Sequence, residues 1–110
     1  MEGKPHVVEH YLTAGGRDPF QDWLKGLRDL EGRARINLRI DRIEEKGQFG
    51  KTRHVGEGVY ELKMDFGPGY RVYFGRDGET IVVLLGGGDK STQERDIQAA
   101  IERWRDYCDA

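Results

Sequence analysis

The chain has 110 residues, 36% apolar and 35% charged, with 20 acidic against 18 basic side chains and a formal net charge of -2. That length suits one domain with a modest core, and the apolar share excludes wholesale disorder. No run approaches the roughly 18 apolar residues that span a bilayer, a lone Cys108 excludes an intramolecular disulfide or a cysteine metal cage, and residues 1–6 lack the apolar stretch of a signal peptide.

A cytoplasmic protein without membrane association is therefore expected. The near-neutral total hides an asymmetry. Residues 1–31 hold four basic and six acidic groups, residues 32–76 ten and six, and residues 77–110 four and eight. The middle third is cationic inside an acidic chain, and a local patch is what an anionic partner feels.

Val7, Val8, Tyr11 and Leu12 read as a first strand, ended by Gly15 and Gly16. Asp18-Pro19-x-Gln21 then opens a helix, with Asp18 as cap, Pro19 at the first helical position and Gln21 completing a capping box. Phe20, Trp23, Leu24 and Leu27 form its apolar face.

A second helix is expected over residues 30–46, with Ile36, Ile40 and Ile43 inward. Arg35, Arg39, Arg42 and Lys46 fall in one row on its surface. That row reads either as a solvated face or as a docking surface for phosphate or an acidic partner. Gly47 and Gly50 end the helix, and Lys51-Thr52-Arg53-His54 reads as a basic polar loop.

Three strands follow, over residues 58–66, 70–74 and 80–85. In the first, Tyr60, Leu62, Met64 and Phe66 alternate with Glu61, Lys63 and Asp65. In the second, Tyr70, Val72 and Phe74 alternate with Arg71 and Tyr73. The third is apolar on both faces, as in a covered strand. Because opposed residues share a face, a three-residue turn at Gly67-Pro68-Gly69 would set Asp65 opposite Arg71 and Lys63 opposite Tyr73. Lys63, Asp65, Arg71 and Tyr73 would then share one polar sheet face.

Ser91-Thr92-Gln93-Glu94 fits a capping box for a last helix, whose apolar stripe is Ile97, Ala100, Ile101 and Trp104. The order β-α-α-β-β-β-α predicts an α+β domain: a mainly antiparallel four-stranded sheet with two N-terminal helices and a C-terminal helix. The helices would lie on one face and leave the other free.

Candidate chemistry gathers in two places. Gly86-Gly87-Gly88-Asp89-Lys90-Ser91-Thr92 joins a strand to a helix N-terminus, where backbone N–H groups favour an anion, Lys90 adds a charge and Ser91 and Thr92 add hydroxyls; a tight, well-capped turn is the competing reading. It is not a nucleotide-binding P-loop, because Asp89 rather than Gly precedes Lys90. On the polar sheet face, Arg71 offers a bidentate fork for phosphate, Lys63 a point charge and Tyr73 a donor or stacking ring. A surface salt-bridge ladder is the competing reading of the same face. His6 and His10, four apart in a strand, make no chelating pair, so no metal site is expected. His54, in the basic loop, carries an imidazole, the side-chain type most used in acid–base work, and a solvated loop histidine is the competing reading.

The stretch Gly58-Val59-Tyr60-Glu61-Leu62-Lys63-Met64-Asp65-Phe66-Gly67-Pro68-Gly69-Tyr70-Arg71-Val72-Tyr73-Phe74, followed by Gly87-Gly88-Asp89-Lys90-Ser91-Thr92-Gln93, resembles the RelE/ParE toxin superfamily. More narrowly it resembles the HigB-like addiction module killer protein branch. Tyr11-Leu12, Pro19-Phe20-x-x-Trp23-Leu24 and Ile101-x-x-Trp104 extend the likeness over nearly the whole chain.

The resemblance implies a RelE-like fold and the toxin of a type II toxin–antitoxin pair. RelE-like members are endoribonucleases that cut mRNA on the ribosome without a metal or other cofactor, the 2′-hydroxyl attacking its neighbouring phosphate. It assigns catalytic roles to Arg71, Lys63 and Lys90, and leaves His54 and Tyr73 as candidates for proton transfer. Lys51, Arg53, Ser91, Arg39 and Arg42 are the expected RNA or phosphate contacts. The implied partners are a cognate antitoxin, often a helix-turn-helix DNA-binding protein, together with the ribosome and mRNA.

Two departures stand out. Glu61 occupies a position where RelE-like enzymes often carry a basic residue, and the last helix shows no match for the tyrosine that some of them use. ParE-like relatives share the fold but poison DNA gyrase, and an inactive homologue would act only with its antitoxin.

Overall fold

A computed structural model describes residues 3–109; Met1 and Glu2, the first positions of the stretch read for a leader, lie outside the described residues, as does Ala110. Five strands form one sheet: β1 (Val7–His10), β2 (Thr52–Gly56), β3 (Val59–Lys63), β4 (Arg71–Asp77) and β5 (Ile81–Gly88). Three α-helices flank it, α1 (Pro19–Gly26), α2 (Leu30–Lys46) and α3 (Gln93–Asp109), and a 3-10 turn at Lys90–Thr92 leads into α3.

The strand order is β1-β5-β4-β3-β2. β2 to β5 pair antiparallel with their neighbours, and β1 pairs parallel to β5. The expected four-stranded, mainly antiparallel sheet is thus corrected to a five-stranded mixed one, still of α+β class. The extra strand is β2, read from sequence as a basic loop. Thr52, Arg53 and His54 are all exposed, so an apolar alternation had nothing to bury and left no signal.

Local chemistry sets the helix ends. Asp18 caps α1 by accepting a hydrogen bond from the Gln21 N–H, with Pro19 in the first turn. Asp29 caps α2 in the same way through Gly32. Gly47 stops α2 at φ 64°, a left-handed conformation that glycine adopts without a Cβ penalty. The 3-10 turn before α3 is capped by Asp89, not by a Ser91 capping box.

The sheet is covered on both sides, which corrects the expectation of a free face. On one side Phe20 and Leu24 of α1 and Ile36 and Ile43 of α2 pack on Leu62, Val72, Phe74, Val82 and Leu84. On the other, Ala100 and Ile101 of α3, with Ile97 and Trp104, pack on Val59, Tyr73, Val83 and Leu85. A solitary amphipathic helix must bury its stripe somewhere, and the second sheet face is where α3 does so. Small residues let the helices close in. A Cβ on Gly87 would fall within the Trp23 ring, and one on Gly75 within the Trp104 ring.

The β3–β4 connection sets the site. Lys63 lies opposite Arg71 and Glu61 opposite Tyr73, two residues away from the expected register. Side-chain parity survives a shift of two, so the sequence pattern could not separate the two registers. The Met64 N–H bonds the Tyr70 carbonyl at 3.0 Å, closing a five-residue loop over 65–69. Gly67 (φ 58°) and Gly69 (φ 79°) provide its left-handed positions. Phe66 leaves the strand to meet Tyr70 edge-on, with the Arg35 guanidinium 5.0 Å from its ring centre.

Candidate functional site

Cross-strand pairing writes two rows onto the α3 side of the sheet. One runs Arg53, Glu61, Tyr73, Gly86 across β2 to β5, and the next runs Lys63, Arg71, Gly88. From Ile97 onward α3 packs as an apolar stripe. Its first residue, Gln93, instead reaches down to the first row.

Glu61 is the hub. It is 1% exposed, and its carboxylate accepts from Arg53 Nε at 3.0 Å, Tyr73 Oη at 3.2 Å and Gln93 Nε2 at 2.7 Å. Arg71 Nε lies 3.6 Å from the same carboxylate, close enough for an ion pair but too long for a hydrogen bond, and is buried without a hydrogen-bond partner. Burial pushes the Glu61 pKa up, but the bonds from Gln93, Arg53 and Tyr73 and the Arg53 charge outweigh it and hold the group below the usual range. Glu61 therefore stays ionised.

Arg71 is itself buried. It donates through Nη1 to the Gly69 carbonyl at 2.7 Å and to the Tyr70 carbonyl at 3.3 Å, tying the loop to the sheet. Lys90 stands across Gly69 from it: a Cβ on that glycine would lie 3.2 Å from Arg71 Nη1 and 3.4 Å from Lys90 Cβ. Lys63, Lys90 and Arg53 are exposed around this buried centre. The expected Asp65–Arg71 pair is absent, because the longer loop turns Asp65 to Lys51, whose Nζ donates at 2.8 Å.

Arg53, Lys63, Arg71 and Lys90 thus come from three strands and the 3-10 turn to one end of one sheet face. A group of this kind has the charge and donors to hold a phosphodiester and to offset charge developing on its oxygens. Tyr73 shares the face, but its side chain is fully buried, and burial together with the Glu61 charge drives its hydroxyl pKa well up. His54 lies opposite Tyr60, on the α1/α2 side of the sheet, where Nε2 accepts from the Gly58 N–H. The structure separates it from Arg71.

The remaining residues singled out from the sequence scatter. Arg39, on the α1/α2 side, bonds the Lys63 carbonyl at 3.1 Å and the Phe49 carbonyl at 2.9 Å, clamping α2 to the β3–β4 hairpin. Arg42 is exposed on α2. Ser91 gives its N–H and hydroxyl to Asp89 at 2.8 and 2.5 Å, so the chain's own carboxylate occupies the helix-start anion position. Among the described residues, no three His, Cys, Asp or Glu side chains converge on a metal position.

Sequence reasoning missed Glu61 and Gln93 as parts of the site. The signal was present for Glu61: alternation placed it with Lys63, Arg71 and Tyr73. Gln93 required knowing that α3 crosses this face.

The fold is thus an α+β sheet covered on both faces, with cations gathered beside the start of its last helix. A family model described as "Phage derived protein Gp49-like (DUF891)" matches residues 22–105, a span that holds every member of the cluster. The chain belongs to this Gp49-like family, a RelE-like toxin family of addiction modules. It is also 47% identical over 81 residues to an uncharacterized protein of Haemophilus influenzae, covering 74% of this chain and 81% of that protein. These likenesses place it among toxin–antitoxin proteins, for which a cognate antitoxin is the partner. No helix among the described residues is long and apolar enough to cross a membrane.

Proposed function

We propose that this protein is the toxin of a type II toxin–antitoxin pair, of the HigB-like branch, and a metal-independent, ribosome-dependent mRNA endoribonuclease. The observation that carries the reading is the convergence of Arg53, Lys63 and Lys90 around buried Arg71 on one sheet face. Exposed Arg53, Lys63 and Lys90 grip the phosphate, and Arg71 adds its charge from beneath while fixing the loop they surround. As the 2′-hydroxyl attacks, these cations stabilise the charge on the phosphorus oxygens. With His54 on the far face and Tyr73 buried, proton transfer passes to water or to groups of the ribosome. The protein acts in the cytoplasm, and a helix-turn-helix antitoxin neutralises it.

Induced expression with primer extension on cellular mRNA tests this. Wild-type protein should arrest growth and produce discrete new 5′ ends, and a Lys63→Ala/Lys90→Ala double variant should do neither. Supercoiling defects without RNA cuts would instead identify a gyrase poison, and no growth effect an inactive homologue.

A further inference from the structure

Arg53 and Glu61 face each other across β2 and β3, and they differ sharply in exposure: 62% for the arginine side chain and 2% for the glutamate. Arg53 reaches the carboxylate through Nε. Among the described residues no acceptor bonds its Nη1 or Nη2, so the outer edge of the guanidinium is open. Glu61 cannot turn, because Tyr73 and Gln93 hold its other oxygen from β4 and α3. An exposed arginine ordinarily loses much side-chain freedom when it grips a ligand; one hung on a fixed buried carboxylate has lost it already.

We propose that Glu61 is a positioning residue that holds Arg53 as a pre-aimed fork for an RNA phosphodiester. The inference rests on the RNA-binding reading above. It opposes the simpler view of Glu61 as mere counter-charge to buried Arg71, and the two roles predict opposite signs. Glu61→Gln removes a negative charge next to the cations. If charge balance were all, RNA would bind tighter; if Glu61 aims Arg53, RNA binds more weakly.

The test is fluorescence anisotropy with a labelled single-stranded RNA dodecamer at several salt concentrations. Arg53→Ala should weaken binding roughly tenfold and reduce the steepness of log K against log salt by about 0.7, one phosphate contact. Arg53→Lys, which keeps the charge and loses the fork, should recover little of that. Glu61→Gln should weaken binding in the same direction, and the Glu61→Gln/Arg53→Ala pair should be no weaker than Arg53→Ala alone. Tighter binding by Glu61→Gln, or additive losses in the pair, overturns the proposal.

The Arg53 Nε–H resonance gives a second readout. It should be protected from solvent exchange in the wild type and lose that protection in Glu61→Gln. An unprotected wild-type resonance overturns positioning whatever RNA does. A protected resonance shifted by inorganic phosphate, in a protein that binds no RNA, keeps the fork and overturns the RNA reading instead.

Discussion

The two faces of β3 and β4 are built from the same ten or so residues by strict alternation, yet they are solved differently. On the α1/α2 side, Leu62, Val72 and Phe74 are buried in an apolar and aromatic cluster, with half-buried Tyr60 at its edge: Phe74 stacks on Phe49 and on Tyr60 at 5.6 Å in each case. On the α3 side, apolar packing by Val59 and Tyr73 gives way within one residue to Glu61 and Arg71, both buried and charged. The first face closes by excluding water. The second closes by satisfying charges, and it does so incompletely, leaving Arg71 Nε unbonded beneath a rim of exposed cations. Apolar packing fills one side, and buried charge with exposed cations marks one end of the other.

The largest effect should therefore come from the dry face. Phe74→Ala deletes a fully packed ring and should cost about 3–5 kcal/mol in denaturant unfolding. A loss well below that would mean that this face is not the main source of stability, and the contrast would fail.

How much of this contrast was legible in the sequence differs element by element. The stretch 30–46 announced α2 because its isoleucines repeat at helical spacing and Gly47 follows. The faces of β3 and β4 were legible from alternation, but the loop length between them was not, because a shift of two residues preserves parity. β2 was hidden because an edge strand of Thr, Arg and His buries almost nothing. The face of Glu61 was legible from alternation, but its burial was hidden for a different reason: a carboxylate is stable in the interior only with donors, and those come from Arg53 on an unrecognised strand and Gln93 on a helix assigned to the wrong side. The parts of the site contributed by a single strand could be read, and the parts assembled between elements could not.

Arg71→Ala should rank second. It removes the bonds to the Gly69 and Tyr70 carbonyls and strips one cation from a buried carboxylate, for about 3 kcal/mol, with Arg53 retaining the remaining charge balance. Because the variant also loosens the 65–69 loop, its loss of toxicity alone would not distinguish a chemical role from a structural one; unfolding midpoints must be measured beside it.

Acid and base should probe the same face with smaller effect. The Glu61 pKa is lower in the folded chain than its ordinary 4.5, so its contribution to stability is full above that value and is lost as pH falls through the folded one. Glu61→Gln should flatten the acid limb of a stability-against-pH curve; an unchanged limb would show that other carboxylates control it. Alkali acts in the opposite sense. Burial and Asp29 push Tyr70 up to about 12, and burial and Glu61 push Tyr73 higher still, so stability should fall as pH rises above 10, where the unfolded tyrosines ionise. Tyrosinate absorbance should then rise together with unfolding.

The smallest stability effect should belong to Lys63→Ala, one strand away from Arg71 in the same row. Lys63 is exposed, so truncating it should move unfolding by no more than about 0.5 kcal/mol. It also removes a like charge from beside Arg71, which offsets part of any loss of attraction to Asp65. Under the proposed function the same change deletes a phosphate contact and should lower RNA affinity and toxicity. Adjacent cations of one row would then divide the work by depth, the buried one fixing the loop and the exposed one holding the substrate. A Lys63→Ala protein that is destabilised as much as Arg71→Ala, or that keeps full toxicity, would break that division.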